Sequence, residues 1–246
     1  MVDVDTERTL ELLWGTGQRP RRGPKPALSV AKLAEVAIGI ADAEGLDAVS
    51  MQRVAGALGY TTMSLYRYVP AKEQLIEVMA DRAAGAPPEP GTGDWRSEVE
   101  RWVREMWAIY AAHPWLLHVK LSGPPMGPGQ LAWFDAGLRA LSGSGLPGDE
   151  MVMAFLFLNG AVRELARVIG DIARARQRAG VTDAQAEAGY AKVLRDHADA
   201  ERFPTLARVV AEGVFDPAPA EGMIPDLEFG LRRLMDGLQA YARSRG

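Results

Sequence analysis

Apolar residues recur every three to four positions along most of the chain, the period of helices that bury one side. Between residues 29 and 45, Leu33, Val36, Ala37, Ile40 and Ala41 form one such stripe, and Gly45 stands where a helix would end. From Ser50, a residue suited to capping, Val54, Ala55 and Leu58 line one side of a second helix that Gly59 stops. Thr61 or Thr62 offers the next N-cap, and the helix that follows turns Leu65 and Val69 inward before Pro70 ends the pattern. Thr62, Met63, Tyr66 and Arg67 are left outward. Residues 71–82, with Leu75, Ile76 and Met79 inward, make a further helix.

Two short helices joined by a glycine turn, the second with a polar and aromatic outer face, describe a helix-turn-helix whose second helix enters a DNA major groove. The same pattern also occurs in all-α proteins that touch no DNA. The helices on either side favour the DNA reading, because they brace the pair.

Beyond residue 84, Pro/Gly-rich breaks at 85–93, 122–129, 142–148 and 216–222 divide the chain, and the first is the expected domain boundary. Helices are predicted near 94–112, 114–121, 129–141, 148–178, 182–199, 204–212 and 225–244, with Thr182 to Gln185 as a capping box. No alternating β-branched run suggests a strand. The expected fold is all-α: a flexible arm over 1–28, a three-helix helix-turn-helix domain over 29–84, and a larger C-terminal helical bundle over 94–246.

Composition narrows the classes. The chain has 246 residues, 48% of them hydrophobic, and no cysteine, which excludes disulfides, thiolate metal sites and cysteine nucleophiles. No stretch is long and apolar enough for a membrane span and the N-terminus is acidic, so a cytoplasmic protein with no membrane partner is expected. A net charge of −4 runs against DNA binding until the charges are placed. Between Leu13 and Ala34 no residue is acidic, while Arg19, Arg21, Arg22 and Lys25 stand among glycines and prolines. That is the composition of a basic arm that follows phosphates or enters the minor groove; the alternative is a solvated tail. Residues 7–14 suit a short helix of no evident function.

Catalysis is disfavoured. His113, His118 and His197 show no metal-binding spacing, Gly143-Ser144-Gly145 lacks the setting of a nucleophile elbow, and no phosphate-cradling glycine loop is present. Neither a metal nor a cofactor is expected.

The combination Ala41…Glu44-Gly45, Ser50-Met-Gln-Arg-Val-Ala55, Leu58-Gly59, Ser64-Leu65-Tyr66-Arg67-Tyr68-Val69 and Lys72-Glu-Gln-Leu75 resembles the N-terminal domain of TetR-family transcriptional regulators. More weakly, His113-Pro-Trp115, Phe203-Pro-Thr205 and Asp226 to Leu234 resemble the tetracycline-repressor type of C-terminal domain. The resemblance implies that Gln52, Thr62, Met63 and Tyr68 contact bases, and that Ser50, Tyr66 and Lys72 contact the backbone. Arg67 departs from the apolar or aromatic residue often found there, and an added guanine or phosphate contact is expected from it. Arg53, Thr61 and Ser64 complete the candidate DNA set.

Residues 151–162 are apolar nearly all round, Phe155 among them, and Leu227, Leu231, Leu234, Leu238 and Tyr241 repeat at helical spacing in the last helix. A monomeric core explains these leucines equally well. The resemblance implies instead a homodimer joined through such helices, with Phe155 and those five residues at the interface and a pseudo-palindromic double-stranded operator as partner. It also implies a small-molecule effector pocket. Aromatic and sulfur side chains crowd the first half of the second domain, and from them we take Trp107, Tyr110, Trp115, Met126, Trp133, Phe134, Met153 and Phe157, with Asn159 and Arg163, as candidate ligand contacts. A regulator that works without a ligand, and a ligand carrier without a working DNA site, stand as alternatives.

Overall fold

The computed structural model describes residues 4–16, 28–120, 123–216 and 225–245. Among these residues there are eleven α-helices and no strand: α1 Val4–Trp14, α2 Val30–Glu44, α3 Met51–Leu58, α4 Thr62–Tyr66, α5 Lys72–Ala83, α6 Trp95–Ala112, α7 Pro128–Leu141, α8 Gly148–Ala179, α9 Asp183–His197, α10 Pro204–Ala211 and α11 Pro225–Ser244. None of them is long and apolar enough to cross a membrane. Helix ends follow the periodicity closely, because caps and stripes are local signals. Ser29 and Ser50 cap α2 and α3 by accepting the Lys32 and Arg53 amides at 3.2 Å, and Thr182 and Gln185 close a capping box on α9. The segment after His113 is tighter than expected, a 3-10 turn over Pro114–His118. The helix expected at 7–14 begins three residues earlier and packs against α5, so only part of the expected N-terminal arm lacks a described structure.

The chain separates into two compact units, one of Met1–Ala166 with Leu231–Gly246 and the other of Arg167–Gly230. In the second, α9 packs on α10, Tyr190 meets Phe215 edge to face, and Arg195 pairs with Asp216 at 2.8 Å.

In the first unit helices α2–α5 are joined to those that follow by polar bonds across the 85–93 stretch. The Trp133 indole N–H donates to the Ala84 and Gly85 carbonyls at 3.2 and 3.1 Å, and Arg139 donates to the Pro88 carbonyl. Asp42 of α2 accepts from two groups through one oxygen, the Trp115 indole and His113 Nδ1, both at 2.7 Å. Trp115 is 3% exposed, so Asp42→Ala would leave its N–H without an acceptor. We expect that variant to unfold at lower urea, by about 1–3 kcal/mol of stability, with Asp42→Asn restoring much of it. An unchanged urea midpoint for the alanine variant would mean that water replaces the carboxylate at no cost.

Candidate DNA-reading surface and ligand cavity

The reading head is built from the α3–α4 pair. Val54, Ala55, Leu65 and Val69 are fully or almost fully buried between the helices. Gly59 takes φ +73, a left-handed turn that a side chain would strain, and this reverses the chain between the two helices. Thr61 precedes α4 without a capping bond to its backbone; its hydroxyl lies 3.0 Å from that of Ser64.

The same packing decides which side chains are presented. Gln52, Arg53, Thr61, Tyr66 and Arg67 are exposed, as is Met63 at 74%, while Thr62, Ser64, Tyr68 and Lys72 are half-buried. Ser50 is exposed but already holds the start of α3. Arg53 is paired with Glu44, whose carboxylate raises the guanidinium pKa through their hydrogen bond and charge, so this arginine is partly neutralised within the chain. Arg19, Arg21, Arg22 and Lys25 lie outside the described residues.

Behind the head, α5, α6, α7 and α8 enclose a cavity of about 360 Å³. Of the ten candidate ligand residues, Tyr110, Met126, Trp133, Phe134, Asn159 and Arg163 line it. Four do not. Trp107 is half-buried outside the lining, Trp115 is spent on Asp42, and Met153 and Phe157 are 64% and 67% exposed. Phe155, expected at a dimer interface, is instead 7% exposed and lies on the cavity wall. Its ring sits 5.4 Å from Trp102 and 4.8 Å from Phe134, centroid to centroid. A Cβ on Gly137 would lie 2.3 Å from the Phe155 ring, so only glycine lets α7 approach α8 there.

Leu227 and Leu231 are likewise buried within the chain, Leu234 and Leu238 are half-buried, and Tyr241, 46% exposed, donates its hydroxyl to Glu150 at 2.9 Å. The buried row of the last helix is Leu227, Leu231 and Met235.

The lining missed from the sequence includes Trp102, Met106 and Ile109, which with Tyr110 share one face of α6. Their spacing of three to four residues was the available signal; Trp107 falls off that face. Leu13 of α1 and Ala80 and Ala84 of α5 also line the cavity, and nothing in their local pattern marks them.

The cavity's polar groups are few. Arg163 donates to the Leu116, Leu117 and Val119 carbonyls at 3.0–3.4 Å, bracing the loop beside it. Burial pushes the Tyr110 phenol pKa up against the opposing pull of the Arg163 charge, and the phenol stays neutral. Lys120, Gln130 and Asn159 add polar groups to a mainly apolar wall that includes the aromatic rings of Trp102, Tyr110, Trp133, Phe134 and Phe155.

Comparison with known proteins agrees with this arrangement. Residues 28–79 match the bacterial regulatory proteins of the tetR family, and residues 87–242 match the tetracyclin repressor-like C-terminal domain. The HTH-type transcriptional repressor DrrR1 of Streptomyces coeruleorubidus is 41% identical over 244 residues, covering 98% of this chain and 88% of that protein. An HTH-type transcriptional regulator of Saccharopolyspora erythraea is 27% identical over 89% of this chain and 87% of its own. Among solved structures, the Streptomyces coelicolor TetR family protein ActR in complex with actinorhodin superposes with a TM-score of 0.69 at 26% identity, covering 89% of this chain and 99% of ActR. With both halves matched in order and a relative aligned almost end to end, the chain belongs to the TetR family of bacterial transcriptional regulators.

Proposed function

We propose that the chain is a homodimeric transcriptional repressor acting in the cytoplasm, released from a pseudo-palindromic operator by a small, largely aromatic effector. The observation that carries this reading is the aromatic cavity whose wall includes α5, the helix that begins six residues after α4 ends. An effector there would touch a helix that packs on α2, which in turn packs on α3 of the reading head. A relative named as a repressor and a structural neighbour bound to actinorhodin support the same reading. Met153 and Phe157, exposed one turn apart on α8, give a second copy of this chain an apolar face to cover. Selecting bound sequences from random duplexes, then screening aromatic compounds for release, tests the proposal; compounds that bind without changing operator affinity would make the protein a ligand-independent regulator.

Within the head, Gln52, exposed on α3, is expected to read a base, and Lys72, in the first turn of α5, to meet a phosphate. Gln52→Ala should relax preference at one base pair per half-site at a cost of about 1–3 kcal/mol. Lys72→Ala should weaken all sequences alike and lower the salt slope by about 0.9 per protomer. Competition binding on operator and random duplex separates the two, and equal weakening by the Gln52 variant on both would remove its reading role.

A further inference from the structure

We infer that α1, the helix ahead of the DNA-reading domain, is a wall of the effector cavity and helps to hold the effector. The inference rests on the cavity being the effector site. Leu13 lines the cavity directly. Its neighbour Trp14 is 50% exposed, yet its indole N–H donates to the Met126 carbonyl at 2.9 Å, 112 positions along the chain. An indole with half its surface in water contributes little to a core; here it fixes the end of α1 to a loop that is itself cavity wall.

That loop is tied onward. The Met126 amide donates to the Gln130 side-chain oxygen at 3.1 Å, and the Gln130 amide donates to the buried Asp81 carboxylate on α5 at 2.9 Å. Met126 and Gln130 both line the cavity. The wall is therefore one hydrogen-bonded series running from α1 through the loop and the first turn of α7 to α5.

None of the α1 side chains described is fully buried; Thr9 to Leu13 are half-buried and Trp14 is exposed. A helix with no fully buried side chain among those described shifts at lower cost than a core helix, so its seating responds to what fills the cavity. A segment that precedes the reading head thus becomes part of the effector's binding surface.

The test uses 8-anilinonaphthalene-1-sulfonate, an apolar aromatic anion whose fluorescence reports binding, on the full chain and four variants. Leu13→Ala and a protein lacking residues 2–14 should bind the dye about tenfold more weakly. Trp14→Phe, which removes only the N–H, should weaken it about threefold. Asn159→Trp on α8 should abolish binding by filling the cavity, with thermal melts checking that each variant is folded. If Asn159→Trp abolishes binding while the three α1 variants bind as the full chain does, the cavity stands and the role of α1 is overturned. If the full chain does not bind the dye, or Asn159→Trp binds it undiminished, the cavity reading fails and this inference fails with it.

Discussion

An aromatic effector that saturates the cavity is expected to lower operator affinity about 100-fold, about 2.7 kcal/mol, and operator DNA should lower effector affinity by the same factor. Two reading heads bind a pseudo-palindrome only when their spacing matches one duplex turn, roughly 34–36 Å, so a small change in aim weakens both half-sites together. The cavity touches the helices that set this aim. Trp133 lines it and also donates to the Ala84 and Gly85 carbonyls at the end of α5, and Gln130 lines it and donates to Asp81. Gln74, Leu75, Val78 and Met79 of α5 are buried, and α5 packs on α2, so displacement of α5 shifts the helix that packs on α3. A ligand shifts the equilibrium only by its differential affinity for the two forms. Titration of a compound with and without operator measures this, with quenching of Trp102 and Trp133 as the signal. Equal affinities in the two titrations would refute the release mechanism even for a tight DNA binder.

Replacing Arg19, Arg21, Arg22 and Lys25 together by glutamine should cut operator affinity by up to about three orders of magnitude at about 0.15 M salt. If all four meet phosphates, the slope of log affinity against log salt falls by about 3.6 per protomer. Charge replacement is the correct design, because deleting residues 1–26 would also remove α1, which packs on α5 and reaches the cavity. Dimerisation and dye binding should be unchanged in the charge variant. Operator affinity and salt slope equal to those of the unaltered chain would leave the segment a solvated tail.

The helices and their ends were legible because stripes, caps and glycine stops are written within a few neighbouring residues. Which face of a helix looks inward was not. Met153 and Phe157 are one turn apart and point outward together, while Phe155, two residues from each, points to the opposite side and into the cavity. An apolar run filling both faces carries no mark of which aromatic meets which neighbour. The last helix repeats the lesson: Leu227, Leu231 and Met235 form the inward row, and the leucine pattern alone drew in Leu234 and Leu238 at its edge. The candidates that line the cavity came from a local concentration of aromatics. Those missed, Leu13, Ala80 and Ala84, are ordinary helix residues made important by where their helices dock.

The pairing of Arg53 with Glu44 bears on how such a protein finds its site in a genome. A free arginine at this edge of the head would attract the phosphates of every sequence alike, and a regulator faces about 10⁶–10⁹ competing sites. With that charge answered from within the chain, the head is expected to dwell less on random duplex, leaving a larger share of its binding to side chains that distinguish one base from another. Occupancy of the operator then depends on discrimination more than on tightness.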